Sequence, residues 1–284
     1  MSTDRIDLEA YLRRIAYDGP LKADRETLSR LIQHHAAAIA FENIDVLANR
    51  VPALDLPSLQ RKLVHGRRGG YCFEHNGLFL ACLRQIGFDA RGLEGRVRAG
   101  VPTGTITGRT HMALQVSLHG EPYLADVGFG GFAPLAALAM GPARPEQRCP
   151  DGAVYRFAET DTGNLALQIQ TSAGWDDCYH LVVVSTPQPI DYEIGNWYVA
   201  THPKAMLGHN LLVSRAVDGG RLTLFNHELT FRRAATDTLQ QWTVRERDEF
   251  DEVLCDRFGL AVDAPDLDKV MGVLGRLQAP PERP

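Results

Sequence analysis

Three residues in this chain have the types, and the functional order, that thiolate chemistry needs. Cys72 stands in the run RRGGYCFEHN (67–76), His111 in RTHMALQV (109–116) and Asp126 in YLADVGFGG (123–131). A thiol becomes a nucleophile when a neighbouring base activates it, and a carboxylate orients that base. A free thiol titrates near 8.5, so only a few per cent of it is thiolate at neutral pH. Gly69-Gly70 ahead of Cys72 put it at the mouth of a helix, whose dipole contributes at most about 2 kcal/mol. Thiolates of paired cysteine enzymes are stabilised well beyond that. A cationic partner must supply the rest, and His111 is the best candidate, with Asp126 fixing its tautomer and stabilising the imidazolium.

Other readings of these residues compete. A cysteine is most often a small buried hydrophobe; Cys82 fits that description inside an apolar helix, and Cys149, Cys178 and Cys255 have no flanking signature. Cys72 differs, with two glycines before it and Glu74, His75 and Asn76 after it. His75 rivals His111 as the base, because it lies three residues on and about 60° round the helix. It has no carboxylate to orient it except Glu74, which faces elsewhere. His34, His35, His202 and His209 read as surface or structural. Cys72 and His75 could share a metal with His111 or Cys82, yet no second Cys/His pair with zinc spacing follows, so no metal is expected. The glycines of GFGG (128–131) let the backbone approach a ligand or make tight turns; a plain β-turn serves as well. Phe129, set between glycines beside Asp126, is a costly exposed aromatic unless it borders a pocket.

The elements that must position these groups can be read from periodicity. Among the first 90 residues, Leu8, Tyr11, Leu12 and Ile15 follow a helical stripe that ends at Asp18-Gly19-Pro20. Asp24 caps a second helix with Leu28, Leu31 and Ile32 inward, and a third runs from about Pro57 to Val64. The segment after Cys72 is apolar on nearly every side from Leu78 to Leu83, which predicts a helix in the middle of a bundle. From about 90 to 185 the period changes to short alternating runs, HMALQVSL, PYLADVGF, NLALQIQT and HLVVVS, which predict an antiparallel sheet or small barrel. Residues 141–152 read as an exposed loop. LLVSRAV and RLTLFNHELTFRR, joined by Asp218-Gly219-Gly220, read as a hairpin. Thr243 and Glu246 spell a capping box for a helix with Phe250, Val253, Leu254 and Phe258 on one face. A last helix follows Pro265, and the end, APPERP, reads as disordered.

Composition narrows the setting. A chain of 284 residues suggests one large domain or two to three small ones. A net charge of −5 disfavours nucleic acid and anionic membranes as partners. No apolar stretch approaches the roughly 20 residues that span a bilayer, and the charged N-terminus lacks a secretory h-region. Five cysteines, an odd number without a pairing pattern, point to free thiols in a reducing, cytoplasmic compartment. Oligomeric state is not legible.

These residues resemble the arylamine N-acetyltransferase family. The match is carried by FENID (41–45), RGGYCFEHN (68–76), RTHMALQV (109–116), LADVGFGG (124–131) and NWYVATHP (196–203), with YLRRIAYDGP similar to the family's opening helix. The last third matches only loosely. The resemblance implies an α+β fold with a cysteine-protease-like core. A helical bundle (1–90) would carry the nucleophile, an antiparallel β-barrel (91–190) the His and Asp, an interdomain segment 191–210 would follow, and an α/β lid (211–284) would close the chain. It implies acetyl-CoA as donor with no tightly bound cofactor, and ping-pong transfer through an acetyl group on Cys72 to an arylamine, arylhydrazine or N-hydroxyarylamine. Such amines are neutral at pH 7, so an apolar pocket holds them without desolvating a charge. By the same resemblance Phe41, Tyr71, Val97 and Phe129 border the acceptor pocket, and Thr107 and Gly108 approach the CoA chain. The nearest rival is an amide synthase closing a macrolactam from a carrier-bound acyl chain with the same triad. A thiol protease or transglutaminase needs an open groove, and an inactive small-aromatic binder has no need of an intact triad.

Overall fold

The computed structural model describes residues 5–102, 104–236 and 238–278. Helix α1 (Leu8–Arg14) starts where the Asp7 carboxylate accepts from Ala10 N, and α2 (Arg25–Ala38) where Asp24 accepts from Thr27 N, as its sequence predicts. A two-residue strand β1 (Phe41–Glu42) and the short α3 (Ile44–Leu47) follow. Asp55 then caps α4 (Leu56–Leu59), which continues as a π-helical segment, Gln60–His65. Next comes α5 (Cys72–Ile86), whose buried positions include Phe73, Leu78, Phe79, Cys82 and Leu83. Its burial was legible in the sequence; the burial of Glu74, His75 and Asn76 beside them was not.

The middle of the chain supplies β2 (Asp89–Val97), β3 (Arg109–Leu118), β4 (Glu121–Ala125), β5 (Leu138–Ala139), β6 (Gln147–Arg148), β7 (Val154–Glu159), β8 (Leu165–Thr171) and β9 (Gly174–Val182). They pair antiparallel in the order β5-β4-β3-β2-β9-β8-β7-β6. The two edges meet through a side chain: the Gln147 amide accepts from Ala139 N at 2.7 Å and donates to Ala139 O at 2.9 Å. It imitates a strand pair and brings the sheet to a near-closed barrel. Strand β3 is buried on both faces. Met112, Leu114 and Val116 pack with the helical core, while Ala113 belongs to the barrel interior with Leu124, Tyr155 and Tyr179. Strand alternation puts His111 on the same inward face as Ala113.

Helix α6 (Pro189–Thr201) crosses back, so NWYVATHP lies on the end of a helix. The rest forms β10 (Leu212–Val217), β11 (Gly220–Phe225), β12 (Glu228–Arg233), β13 (Thr238–Thr243), α7 (Arg247–Glu252) and α8 (Ala264–Gln278). This second sheet runs β1-β10-β11-β12-β13, so the first 90 residues provide its edge strand.

Several local expectations are corrected. RLTLFNHELTFRR is two strands, folding at Asn226-His227 where Asn226 takes a left-handed φ of 52°. Thr243 does not cap a helix; it ends β13 opposite Glu228, and the Glu249 carboxylate instead receives Arg245 N and Glu246 N. The 141–152 loop is partly folded in: Gln147–Arg148 is a strand, Cys149 is buried, and buried Asp151 pairs with buried Arg221 at 2.8 Å. The run APPERP lies outside the described residues.

An ionic cluster ties the ends of the chain together. Arg68 contacts Glu42 (2.9 Å), Asp45 (3.3 Å) and Asp266 (3.1 Å); Arg50 joins Asp45 and Asp266; Lys62 joins Asp45 (2.5 Å) and Glu74 (2.7 Å). Three cations thus face four carboxylates. Burial pushes the Glu74 carboxyl up to about 7 against the pull of Lys62.

If Gln147 closes the barrel, Gln147→Leu leaves the Ala139 N–H and C=O without their partner. The expected loss is about 1–3 kcal/mol, read as a fall in Tm of several degrees for a chain of this size; an unchanged Tm refutes the seam.

Candidate active site

The site forms where the N-terminus of α5 meets the inner face of β3 and the turn after β4. Tyr71 precedes the helix in extended conformation, and Glu74 reaches back to accept from Tyr71 N at 3.0 Å, fixing where the helix starts. The two glycines before it solve a packing problem: a Cβ on residue 69 would stand 2.0 Å from Ala40 O. Gly128 does the same on the other side, since a Cβ there would lie 2.7 Å from both Cys72 Cα and Asn76 Nδ2. The GFGG run is therefore a close approach of backbone to the cysteine helix.

The three candidate residues come together. His111 Nε2 is 2.8 Å from Asp126 Oδ2, and the Cys72 sulfur stands near enough to the imidazole to favour its charged form. The Cys72 sulfur lies 3.7 Å from Thr110 O, and all three residues are buried, Cys72 at 7% exposure against 2% for His111 and 1% for Asp126. Burial alone would favour a neutral imidazole, but the Asp126 charge and the Cys72 sulfur outweigh it and hold His111 well above its ordinary value. Burial likewise works against the Asp126 carboxylate, and His111, Asn76 and Gly128 N overcome it and hold it low.

Asp126 is saturated. Its Oδ1 accepts from Asn76 Nδ2 (2.9 Å) and Gly128 N (2.8 Å), and its Oδ2 accepts from His111 and from the Tyr179 hydroxyl (2.8 Å). Asn76 also donates to Met112 O at 2.7 Å and accepts from Val127 N at 3.2 Å, so it stitches α5 to β3 and to the turn after β4. Sequence reasoning gave neither Asn76 nor Tyr179 a role. Asn76 left a signal, lying one helical turn beyond Cys72; Tyr179, distant in sequence, left none. Gly95 was also missed. It stands opposite His111 in register, where a Cβ would lie 3.2 Å from the imidazole.

His75 is placed differently. Its Nδ1 is 2.8 Å from His35 Nε2 and its Nε2 is 3.1 Å from Ala40 O, so both ring nitrogens are engaged away from Cys72. Burial pushes it down to about 4. Among the described residues no group of three or more His, Cys, Asp or Glu side chains could hold a metal ion.

The remaining candidates fall into two groups. Phe129 packs edge-on against His111 (5.0 Å between ring centroids) and Tyr179 (4.7 Å), and the Phe41 ring lies 3.5 Å from the site of a Cβ on neighbouring Gly130. Phe129 therefore borders the imidazole, and Phe41 packs beside the glycine that follows Phe129. Half-buried Val97 ends β2 opposite Tyr179. Tyr71, by contrast, has no exposed surface; its hydroxyl donates to the Asn196 side chain, so it supports the site from below. The Thr107 hydroxyl is occupied by Val97 O at 2.9 Å, and its own carbonyl accepts from Arg96. Gly108 is exposed and lines a cavity of about 270 Å³ with Glu94, Arg109, Thr110, Ile194 and Tyr198. That cavity flanks β3 near the thiol but does not include Phe41, Val97 or Phe129.

Fold and site together define an enzyme with a cysteine-protease-like core. The family model described as N-acetyltransferase matches residues 24–267. The chain belongs to the arylamine N-acetyltransferase family and is an acyltransferase. It is 37% identical over 257 residues to the arylamine N-acetyltransferase of Escherichia coli K12, covering 90% of this chain and 89% of that one. With the arylamine N-acetyltransferase / N-hydroxyarylamine O-acetyltransferase of Salmonella typhimurium it is 38% identical over 258 residues, with 90% and 89% covered. The structure of Mycobacterium marinum arylamine N-acetyltransferase in complex with CoA superposes with a TM-score of 0.87 at 32% identity, over 94% of this chain and 99% of that one.

The ion pair has a defined pH window. His111, held high, stabilises the fold fully below about 6.5 and loses that contribution as pH climbs through its raised value; Asp126, held low, contributes above about 3.9 and fails as pH falls through its lowered value. Asp126→Asn should lower the alkaline edge set by His111 and flatten the acid limb of the Tm profile. It should also slow alkylation of Cys72 by iodoacetamide at neutral pH. A variant whose alkylation profile overlays the wild type removes Asp126 from the site.

Proposed function

We propose that the chain transfers acetyl groups from acetyl-CoA to arylamines, arylhydrazines or N-hydroxyarylamines by a ping-pong route through acetyl-Cys72. The observation that carries this is the Cys72–His111–Asp126 array at the start of α5, in a chain of this family. The Cys72 sulfur attacks the thioester carbonyl, and the first-turn N–H groups of α5 would stabilise the oxyanion that forms. As the tetrahedral centre collapses, the CoA sulfur departs with the proton held by His111. The amine nitrogen then attacks the acetyl carbonyl, His111 takes the proton lost from nitrogen, and the Cys72 thiolate leaves. Asp126 stays ionised throughout and fixes which imidazole nitrogen faces the sulfur. Phe41, Phe129 and Val97 would border the acceptor, Tyr71 would brace them, and Thr107 and Gly108 would lie along the donor's path. The free state of all five cysteines supports a reducing, cytoplasmic setting.

Incubation with acetyl-CoA followed by mass spectrometry should show one acetyl group in place of one hydrogen, mapped to Cys72. Cys72→Ser should lose this adduct and retain less than about 1% of the transfer rate, because a hydroxyl would have to surrender its proton during attack. A chain that ignores acetyl-CoA but accepts an acyl group from a carrier protein is an amide synthase instead. Arylamine acetylation by the serine variant at near wild-type rate would reject the thiol mechanism outright.

A further inference from the structure

Behind the cysteine helix lies a second buried polar array that the transfer reaction does not use. The Tyr11 hydroxyl is 2.8 Å from His35 Nδ1, His35 Nε2 is 2.8 Å from His75 Nδ1, and His75 Nε2 is 3.1 Å from Ala40 O. All three side chains are fully buried. Its direction is fixed by its last member: a carbonyl oxygen only accepts, so His75 Nε2 carries a proton. In a neutral His75, Nδ1 is then an acceptor, so His35 Nε2 donates to it. His35 Nδ1 accepts in turn, and Tyr11 donates. Burial pushes both histidines down, which keeps the chain neutral, and each polar atom in it is satisfied.

What the array holds is the segment leading into Phe41. Arg215 Nε donates to Ala37 O at 2.5 Å, Arg14 Nη1 to Ala38 O at 2.7 Å and His75 to Ala40 O, while Glu42 N donates to Gly70 O at 2.7 Å. Donors from α1, α5 and β10 thus converge on three carbonyls of this segment, and Glu42 N anchors its end to Gly70 O. The His75 ring also lies nearly parallel to Phe41, at 13° and 6.4 Å between centroids. No other side chain both bonds this backbone and faces the Phe41 ring among the contacts described.

We infer that His75 is a positioning residue for the acceptor half of the reaction, holding Phe41 in place through Ala40 O and the ring face, and itself held in one tautomer by His35 and Tyr11. This rests on the reading of Phe41 as an acceptor wall. It separates the two halves of the cycle: loss of the array should disturb amine binding and leave acetylation of Cys72 intact.

His75→Leu keeps the bulk and removes both hydrogen bonds. Its KM for an arylamine such as 4-aminobenzoate or a hydrazine should rise about tenfold, the factor carried by one buried hydrogen bond. The rate of CoA release in the first half-reaction should stay within about twofold. His75→Gln, whose amide nitrogen can donate to Ala40 O, should restore most of the affinity. Tyr11→Phe, a milder change at the far end, should raise the KM a few-fold and shift the ¹⁵N resonances of His75, which in the wild type should report the Nε2–H tautomer. A lowered Tm with unchanged KM in both His75→Leu and Tyr11→Phe overturns the inference, as does an equal loss in both half-reactions. A wild-type enzyme that forms no acetyl adduct defeats the transferase reading alone. The positioning claim is then decided by a labelled Phe41 ring, whose resonance must move in Tyr11→Phe, which leaves the His75 ring in place, and must not if His75 is merely structural.

Discussion

Asp126 is the group on which the arrangement depends. A carboxylate has about four acceptor positions, and here all are filled, by Asn76, Gly128 N, His111 and Tyr179. These donors come from α5, the turn after β4, β3 and β9. One charge therefore registers the helix against the barrel and sets the imidazole between them. Removing a carboxylate that has been taken out of water strands several donors at once, which costs far more than any one bond contributes. Asp126 thus bonds both the imidazole on β3 and, through Asn76, the helix that carries the thiol.

The chemistry was more legible than the scaffold that supports it. Cys72, His111 and Asp126 lie in short runs whose glycines and neighbours mark them, and the structure brings them together. Helix α5 was readable because its apolar residues cover all sides. What escaped was long-range by nature. Tyr179 looks like any barrel aromatic until β9 is placed beside β2, and Gly95 looks like a strand defect until its register opposite His111 is known. Thr243 and Glu246 had the right letters for a cap, yet the pairing of β13 with β12 claimed Thr243 first. The Asn226 turn was hidden because one run of alternating residues gives no sign of folding back on itself.

Polar side chains in α5 carry more than their number suggests. Glu74 fixes the start of the helix, His75 grips the strand behind it and Asn76 reaches the carboxylate in front. Each is buried and bonded in a different direction, so one helical turn next to the thiol is tethered to three elements. An apolar turn would pack as well but would leave rotation and slide of the helix far less determined. The Glu74 and Asn76 bonds hold the thiol on the helix end relative to the imidazole on β3, whereas the His75 bond holds the segment ahead of Phe41.

The ionic cluster under this turn has a consequence for how the protein is made. Glu42, Asp45, Lys62, Arg68 and Glu74 are synthesised early, but Asp266, which completes the cage around Arg68 and Arg50, lies on α8. Strand β1 similarly waits for β10 as its sheet neighbour. A nascent chain leaving the ribosome therefore holds Arg50 and Arg68 short of one carboxylate partner, Asp266, until nearly all of the polypeptide has emerged. The ionic cage beneath the cysteine helix is completed last, once α8 has docked against the N-terminal third of the chain.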